Sequence, residues 1–364
     1  MFRQLLSKLT LSAVALAISV LGVELVLRTA VFEPTSFRPD NLKPRNRSPM
    51  SKPDLREPRS SIPPRSDAFR ILFVGDSFAW GDGIHTLDAF PFRVERQLNG
   101  RSSDRTFEVI NWSHAGWSTR HQANSLMGKL EELDPDLIVL GFVLNDPEPR
   151  HARQRAAGQV QLYPREPDSR SSAFLYQNSK LFAFAWTRLE NTRIRRELTD
   201  YYISLFDGET WRNCKWALGD LKREASAHEI PLTMVIWPIF DTEVFDDSYP
   251  YLELIAKAKK AARKMGIPAL DLFESYRGLD GRRLALVPYT DSHPSELAHR
   301  IGADAIVDFL IGWELVPLTP RPKREPDASV LAGEGLAGLA DVVVDLENGI
   351  QTQETQDLDD GTVD

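Results

Sequence analysis

Five short apolar runs recur between residues 69 and 272, each continuous rather than alternating. They cover residues 69–74 (FRILFV), 107–112 (FEVINW), 137–144 (LIVLGFVL), 232–237 (LTMVIW) and 268–272. Strand-length runs without polar alternation predict strands covered on both faces. Between them, apolar residues recur with helical period over 88–98, 119–133, 180 to about 228, 251–264 and 295–311. Strands alternating with helices in this order predict a parallel sheet sandwiched between helical layers. In such a sheet a ligand site collects beyond the carboxyl ends of the strands.

Outside this unit the pattern changes character. Residues 9–27 (LTLSAVALAISVLGVELVL) contain one ionisable group, Glu24, and are flanked by Arg3, Lys8 and Arg28. That run is long enough to span a bilayer, and longer than the usual apolar region of a cleaved signal peptide, so it predicts an uncleaved single-pass anchor. Glu24 lies one turn from Arg28 and is expected to be paired or snorkelling near the interface. The cations after the span (Arg28, Arg38, Lys43, Arg45, Arg47) would by count hold the following domain in the cytoplasm. A short N-terminus ahead of a first apolar segment is the layout of a signal-anchor, and the domain is expected outside, in the periplasm or on the outer face of the cytoplasmic membrane. Residues 32–68 carry eight prolines and scattered Arg and Ser, as a stalk would. The resulting division is a flank at 1–8, an anchor at 9–31, a stalk at 32–68, a domain at 69–316 and an acidic, disordered tail at 317–364 whose partner is unknown.

Charge narrows the function class. The 364 residues carry a net −8, but 11 acidic and no basic residues follow from Glu325 onward, and without those 11 the chain stands at +3. A near-neutral body offers no basic face for nucleic acid. The single cysteine, Cys214, excludes an intramolecular disulfide framework and a Cys-clustered metal site. No His, Asp or Glu grouping has metal-ligand spacing, and no metal or organic cofactor is expected.

The polar residues at the strand ends carry the chemistry. Gly75-Asp76-Ser77-Phe78 follows the first run, Gly116 the second, Asn145-Asp146 the third, and Asp291-Ser292-His293-Pro294 precedes the last helix. Each is weak alone, but together they supply what acyl transfer from an ester requires. Ser77, on a tight turn, is the candidate nucleophile. His293 is the candidate base, because neutral imidazole accepts the serine proton near neutral pH. Asp291 would hold its other ring nitrogen in the correct tautomer. These four blocks resemble those of the SGNH (GDSL-like) hydrolase superfamily over residues 69–314. The resemblance implies a three-layer α/β/α sandwich with a parallel, flavodoxin-like sheet. It also implies an oxyanion hole from the backbone N–H groups of Ser77 and Gly116 and the side-chain amide of Asn145. Glycine at 116 suits that role, since a missing Cβ lets substrate approach the backbone. Two departures stand out: one residue, not two, separates Asp291 from His293, and Gly141 lies further ahead of Asn145-Asp146 than usual.

Other features take plainer readings. Asp76 and Asp146 are expected to fix turns by accepting backbone N–H bonds. His114 and His121 could line the pocket, but a surface or capping role is expected; His85, His151, His228 and His299 have no motif. Trp80 with Gly81, Asp82 and Gly83 could stack on a sugar or pack a loop. The aromatic-rich insertion 176–206 could form a lid or a membrane-facing surface, although aromatics at helical spacing usually face a core. The expected activity is therefore a membrane-tethered serine esterase acting on acylated small molecules, glycans or lipids. The alternatives are an O-acyltransferase on an envelope polysaccharide and a catalytically silent glycan-binding scaffold. A flavodoxin-like nucleotide binder is disfavoured because no Gly-rich phosphate loop follows the first strand.

Overall fold

The computed structural model describes residues 2–29, 64–149, 165–288 and 291–318. Most of the expected stalk and nearly all of the expected tail lie outside the described residues. The first element, α1 (Phe2–Thr29), begins earlier than the apolar run. Its window Thr10–Thr29 has a mean hydropathy of 2.2 and no buried part, which by length and composition suffices to cross a membrane or to act as a signal sequence.

All five apolar runs form strands. β1 (Phe69–Gly75), β2 (Phe107–Ser113), β3 (Leu137–Val143), β4 (Leu232–Trp237) and β5 (Ala269–Asp271) pair in parallel in the order β2-β1-β3-β4-β5. β3 and β4 are buried at every position, which is why their sequences show no polar alternation. The order reverses between β1 and its neighbours, so the crevice of this doubly wound sheet opens beyond the ends of β1 and β3.

The helices follow the periodicity, with breaks the pattern did not show. α2 (Ser77–Trp80) and α3 (Phe90–Arg101) lie between β1 and β2. The expected helix over 119–133 is two, α4 (Thr119–Leu126) and α5 (Leu130–Leu133), because Gly128 takes a left-handed φ of 67° between them. The long helical region expected over 180 to about 228 is preceded by α6 (Arg170–Asn178) and divides into α7 (Lys180–Leu205) and α8 (Gly208–Ala227). After β4 come α9 (Leu252–Lys264), α10 (Phe273–Tyr276), α11 (Gly281–Leu284) and α12 (Glu296–Gly312). Between α11 and α12 the chain makes a small antiparallel ribbon, β6 (Ala285–Val287) with β7 (Asp291–Pro294), where the apolar pattern predicts no strand.

The insertion 176–206 has two characters. Its C-terminal half faces the core: Leu205 and Phe206 are buried, Tyr202 packs edge-on to Tyr251, and Phe206 meets Phe142 of β3. Its N-terminal half buries Ala183 and Thr187 outside that core and leaves Leu189 exposed, as are Phe174 and Leu175 just ahead of the insertion. There the aromatics pair along the helix itself, Phe182 stacking on Trp186 and Arg188 lying over Phe184.

Candidate active site

β1 delivers Ser77 to the crevice through an abrupt change from strand to helix. Gly75 ends the strand, and Asp76 caps α2 by accepting the Phe78 N–H at 2.9 Å. The helix ends after one turn because Gly81 adopts a left-handed φ of 73°. This turn fits only against a bare backbone. Gly75 pairs with Gly141 across β1 and β3, and a Cβ on Gly75 would lie 2.7 Å from Ala79 Cβ and 3.2 Å from the Gly141 carbonyl oxygen. Gly141 lies opposite this turn, where a Cβ of its own would meet Ala79 Cβ at an ordinary 3.5 Å, so the tight fit belongs to Gly75.

The second and third strand ends complete the rim. After β2, the His114 N–H donates to the Gly75 carbonyl at 3.3 Å, tying this loop to the end of β1. Gly116 follows at a φ of 86°, a conformation that disfavours any side chain. The rings of His114 and Trp117 stack with centroids 5.5 Å apart, and the Trp80 ring lies 5.6 Å from His114, tilted to it by 43°. After β3, buried Asp146 accepts the Val143 N–H at 3.0 Å and the Gln122 amide at 2.8 Å, while its carbonyl takes the Thr119 N–H. One carboxylate therefore links the Asn145 turn to the start of α4. Burial, reinforced by the charge of Asp76, pushes its carboxyl well above the usual range. Asn145 is half-buried at the rim, and its Oδ1 has no hydrogen-bond partner among the described residues.

The fourth block comes from β7. His293 Nε2 lies 2.8 Å from Ser77 Oγ, and its Nδ1 lies 2.6 Å from Asp291 Oδ1. The same carboxylate oxygen accepts the His293 backbone N–H at 3.1 Å. The short Asp-x-His spacing follows from secondary structure: along an extended strand, residues two apart project to one face. The strand is held in place by β6 and by the Phe240 N–H, which donates to the Ser292 carbonyl at 3.3 Å. Phe78 packs 5.4 Å from the imidazole.

Electrostatics suit a base. Burial disfavours the imidazolium, but the hydrogen bond and charge of Asp291, with the carboxylates of Asp82 and Asp76, outweigh it and raise His293 above the usual histidine value. Burial likewise opposes the Asp291 carboxylate, and its bonds from His293 overcome this and hold it below the usual range. Sequence reasoning left Asp82 in a glycine loop; only the fold aims its charge at His293. Among the described residues no three His, Cys, Asp or Glu side chains gather as a metal site. His121 caps α4, accepting the Ser118 N–H at 3.1 Å. His299 is core, accepting the Phe90 N–H at 3.2 Å, and burial drives its pKa down to about 3.

The family model described as "GDSL-like Lipase/Acylhydrolase family" matches residues 73–301. No curated protein matches the chain. Among solved structures, a catalytic mutant of Axe2, an acetylxylan esterase from Geobacillus stearothermophilus, is 17% identical with a TM-score of 0.41, over 70% of this chain and 99% of that one. The psychrotrophic esterase EstA from Pseudoalteromonas sp. is 11% identical with a TM-score of 0.41, over 68% and 100%. TesA is 15% identical with a TM-score of 0.40, over 66% and 97%.

Proposed function

Because the chain belongs to the GDSL-like lipase/acylhydrolase family, we propose that it cleaves carboxylic esters through an acyl-enzyme on Ser77. The observation that carries this reading is the continuous relay from Ser77 Oγ to His293 Nε2 at 2.8 Å and from His293 Nδ1 to Asp291 at 2.6 Å. Ser77 attacks the ester carbonyl as Nε2 takes its proton. The oxyanion is received by the N–H groups of Ser77 and Gly116 and by the Asn145 amide. Collapse expels the alcohol, which leaves with the proton from His293. Water then repeats the sequence and frees the acid; a sugar hydroxyl in its place would make the same intermediate an acyl donor.

The stacked rings of His114 and Trp117 beside Gly116 support an O-acylated sugar as the acyl carrier, since aromatic faces accept the apolar side of a polar ring. The exposed apolar run of α1 supports a single-pass anchor, and the short N-terminus ahead of it, the layout of a signal-anchor, supports a domain on the outer face of the cytoplasmic membrane. The test is hydrolysis of p-nitrophenyl acetate and longer acyl esters, with fluorophosphonate labelling, beside Ser77→Ala. Ser77-dependent turnover and labelling are expected. Turnover that survives Ser77→Ala, or a folded enzyme that neither turns over nor labels, would overturn the assignment.

A further inference from the structure

The N-terminus of α7 is satisfied from far upstream. Glu24 of α1 accepts the backbone N–H groups of Lys180 at 2.9 Å and Leu181 at 2.8 Å, and the Ser179 hydroxyl at 2.9 Å. A carboxylate there meets both the unpaired N–H groups and the positive end of the helix dipole. One turn on, Arg28 bonds Glu24 at 2.8 Å and donates to the carbonyl of Asn178, the last residue of α6, at 2.6 Å. The α6–α7 junction is therefore gripped on both sides by the final turns of α1. Glu24 is more than a tolerated helix-end charge, since it joins the anchor to the insertion.

What surrounds the junction is suited to lipid. Phe174 and Leu175 on α6 and Leu189 on α7 are 64%, 45% and 62% exposed, and Leu21 and Leu25 of α1 are equally bare. Arg170 and Arg188 stand exposed among them. Apolar residues interspersed with cations are the composition of a surface that sits at the headgroup and acyl boundary. If Arg28 reaches the headgroups, Glu24 and the junction lie about 6 Å deeper at 1.5 Å per residue. None of these side chains is needed by the body, which α7 meets at its other end: Tyr201 donates to Glu148 at 2.8 Å, in the turn that holds Asn145. From Leu181 to Tyr201 the helix rises about 30 Å.

We propose that the α6–α7 junction is a second membrane contact. The phospholipid surface that receives α1 also receives Phe174, Leu175 and Leu189, and α7 carries the catalytic domain at a fixed stand-off. This rests on the reading of α1 as a membrane anchor. The consequence for substrate is a site matched to acyl groups displayed away from the bilayer rather than those in its interior.

The experiment uses the full chain in phosphatidylcholine–phosphatidylglycerol vesicles, with an environment-sensitive fluorophore on single cysteines introduced as Leu16→Cys, Phe174→Cys or Trp216→Cys. Cys214 need not be removed, because it is buried and burial pushes its thiol far up. Nitroxide lipids then report depth. Deep nitroxides are expected to quench the Leu16 label, and shallow nitroxides the Phe174 label about twofold, with Trp216 unquenched. In Glu24→Leu the Leu16 quenching is expected to persist while the Phe174 quenching falls away, with turnover of a soluble ester unchanged. Quenching at Leu16 without quenching at Phe174, or equal quenching at Trp216, would overturn the second contact and leave the anchor standing, and unchanged Phe174 quenching in Glu24→Leu would overturn Glu24 as what holds the junction at the membrane. Absence of quenching at Leu16 would overturn the anchor, and the proposal with it.

Discussion

Asp291→Asn isolates the charge of the acid from its geometry, because one oxygen does two jobs. Oδ1 accepts both the His293 Nδ1 proton and the His293 backbone N–H. In the asparagine variant that backbone N–H selects the amide oxygen for the same place, so Nδ1 keeps its proton and Nε2 remains free to receive one from Ser77. Only the charge is lost. The two side chains are 30% and 27% exposed, and a unit charge pair at about 4 Å is worth about 4 kcal/mol at an effective dielectric of about 20. Solvent trims this, so roughly 2–4 kcal/mol of support for the imidazolium disappears, or about 30- to 1000-fold in kcat/KM. Asp291→Ala loses orientation as well and is expected to fall about 10⁴-fold.

The pH profile supplies an independent readout. On the proposed mechanism His293 is a neutral base with a raised pKa, so wild-type activity is expected to fall as pH drops through that raised value. In Asp291→Asn the principal raising influence is gone, burial dominates, and the acid limb moves to lower pH. Stopped-flow or steady-state hydrolysis of p-nitrophenyl acetate from pH 5 to 8 measures both quantities. An asparagine variant as slow as the alanine variant would refute tautomer control by the backbone N–H. One within about threefold of wild type, its acid limb unmoved, would refute Asp291 as the orienting acid.

Three other outcomes are expected. Asn145→Ala should lower kcat about 10²- to 10³-fold with little change in KM, read by the same assay; equal losses in binding would argue against an oxyanion role. Asp82→Asn should move the acid limb to lower pH, by less than Asp291→Asn, because its carboxylate is a lesser contributor to the raised His293 value. Gly75→Ala, whose Cβ would meet Ala79 Cβ at 2.7 Å, should cost about 1–3 kcal/mol in urea unfolding. Gly141→Ala meets nothing closer than 3.5 Å and should change stability by less than about 1 kcal/mol.

The strands were legible because burial on both faces writes itself into local sequence as uninterrupted apolar residues. Ser77, Gly116 and Asn145 were legible for a related reason: each follows such a run, and chain order alone puts them at one edge. The β6–β7 ribbon was not, since Asp-Ser-His-Pro is polar, short and stabilised by contacts with Phe240 and the 285–287 segment rather than by any period of its own. Its extended conformation is also what makes the short Asp291 to His293 spacing work. The place of Gly141 opposite Gly75 depended on register with a strand more than 60 residues away, and the role of Glu24 on a helix start about 155 residues downstream. Pairings of that range leave no local trace. Nor did the aromatic period of 176–206 reveal that only its later half meets the core, because helical spacing states which face is apolar and not what covers it.

The buried Asp146 has a further consequence, in proton linkage. Its carboxyl titrates well above an unfolded aspartate, so folding takes up a proton wherever the pH lies between those two values. Over that interval the native state binds more protons than the unfolded one, and stability declines as pH rises. The chemistry runs the other way, since His293 gains competence as it loses its proton. The two trends oppose each other: the rise in pH that frees His293 as a base also removes the proton that favours the folded form of the turn beneath Asn145.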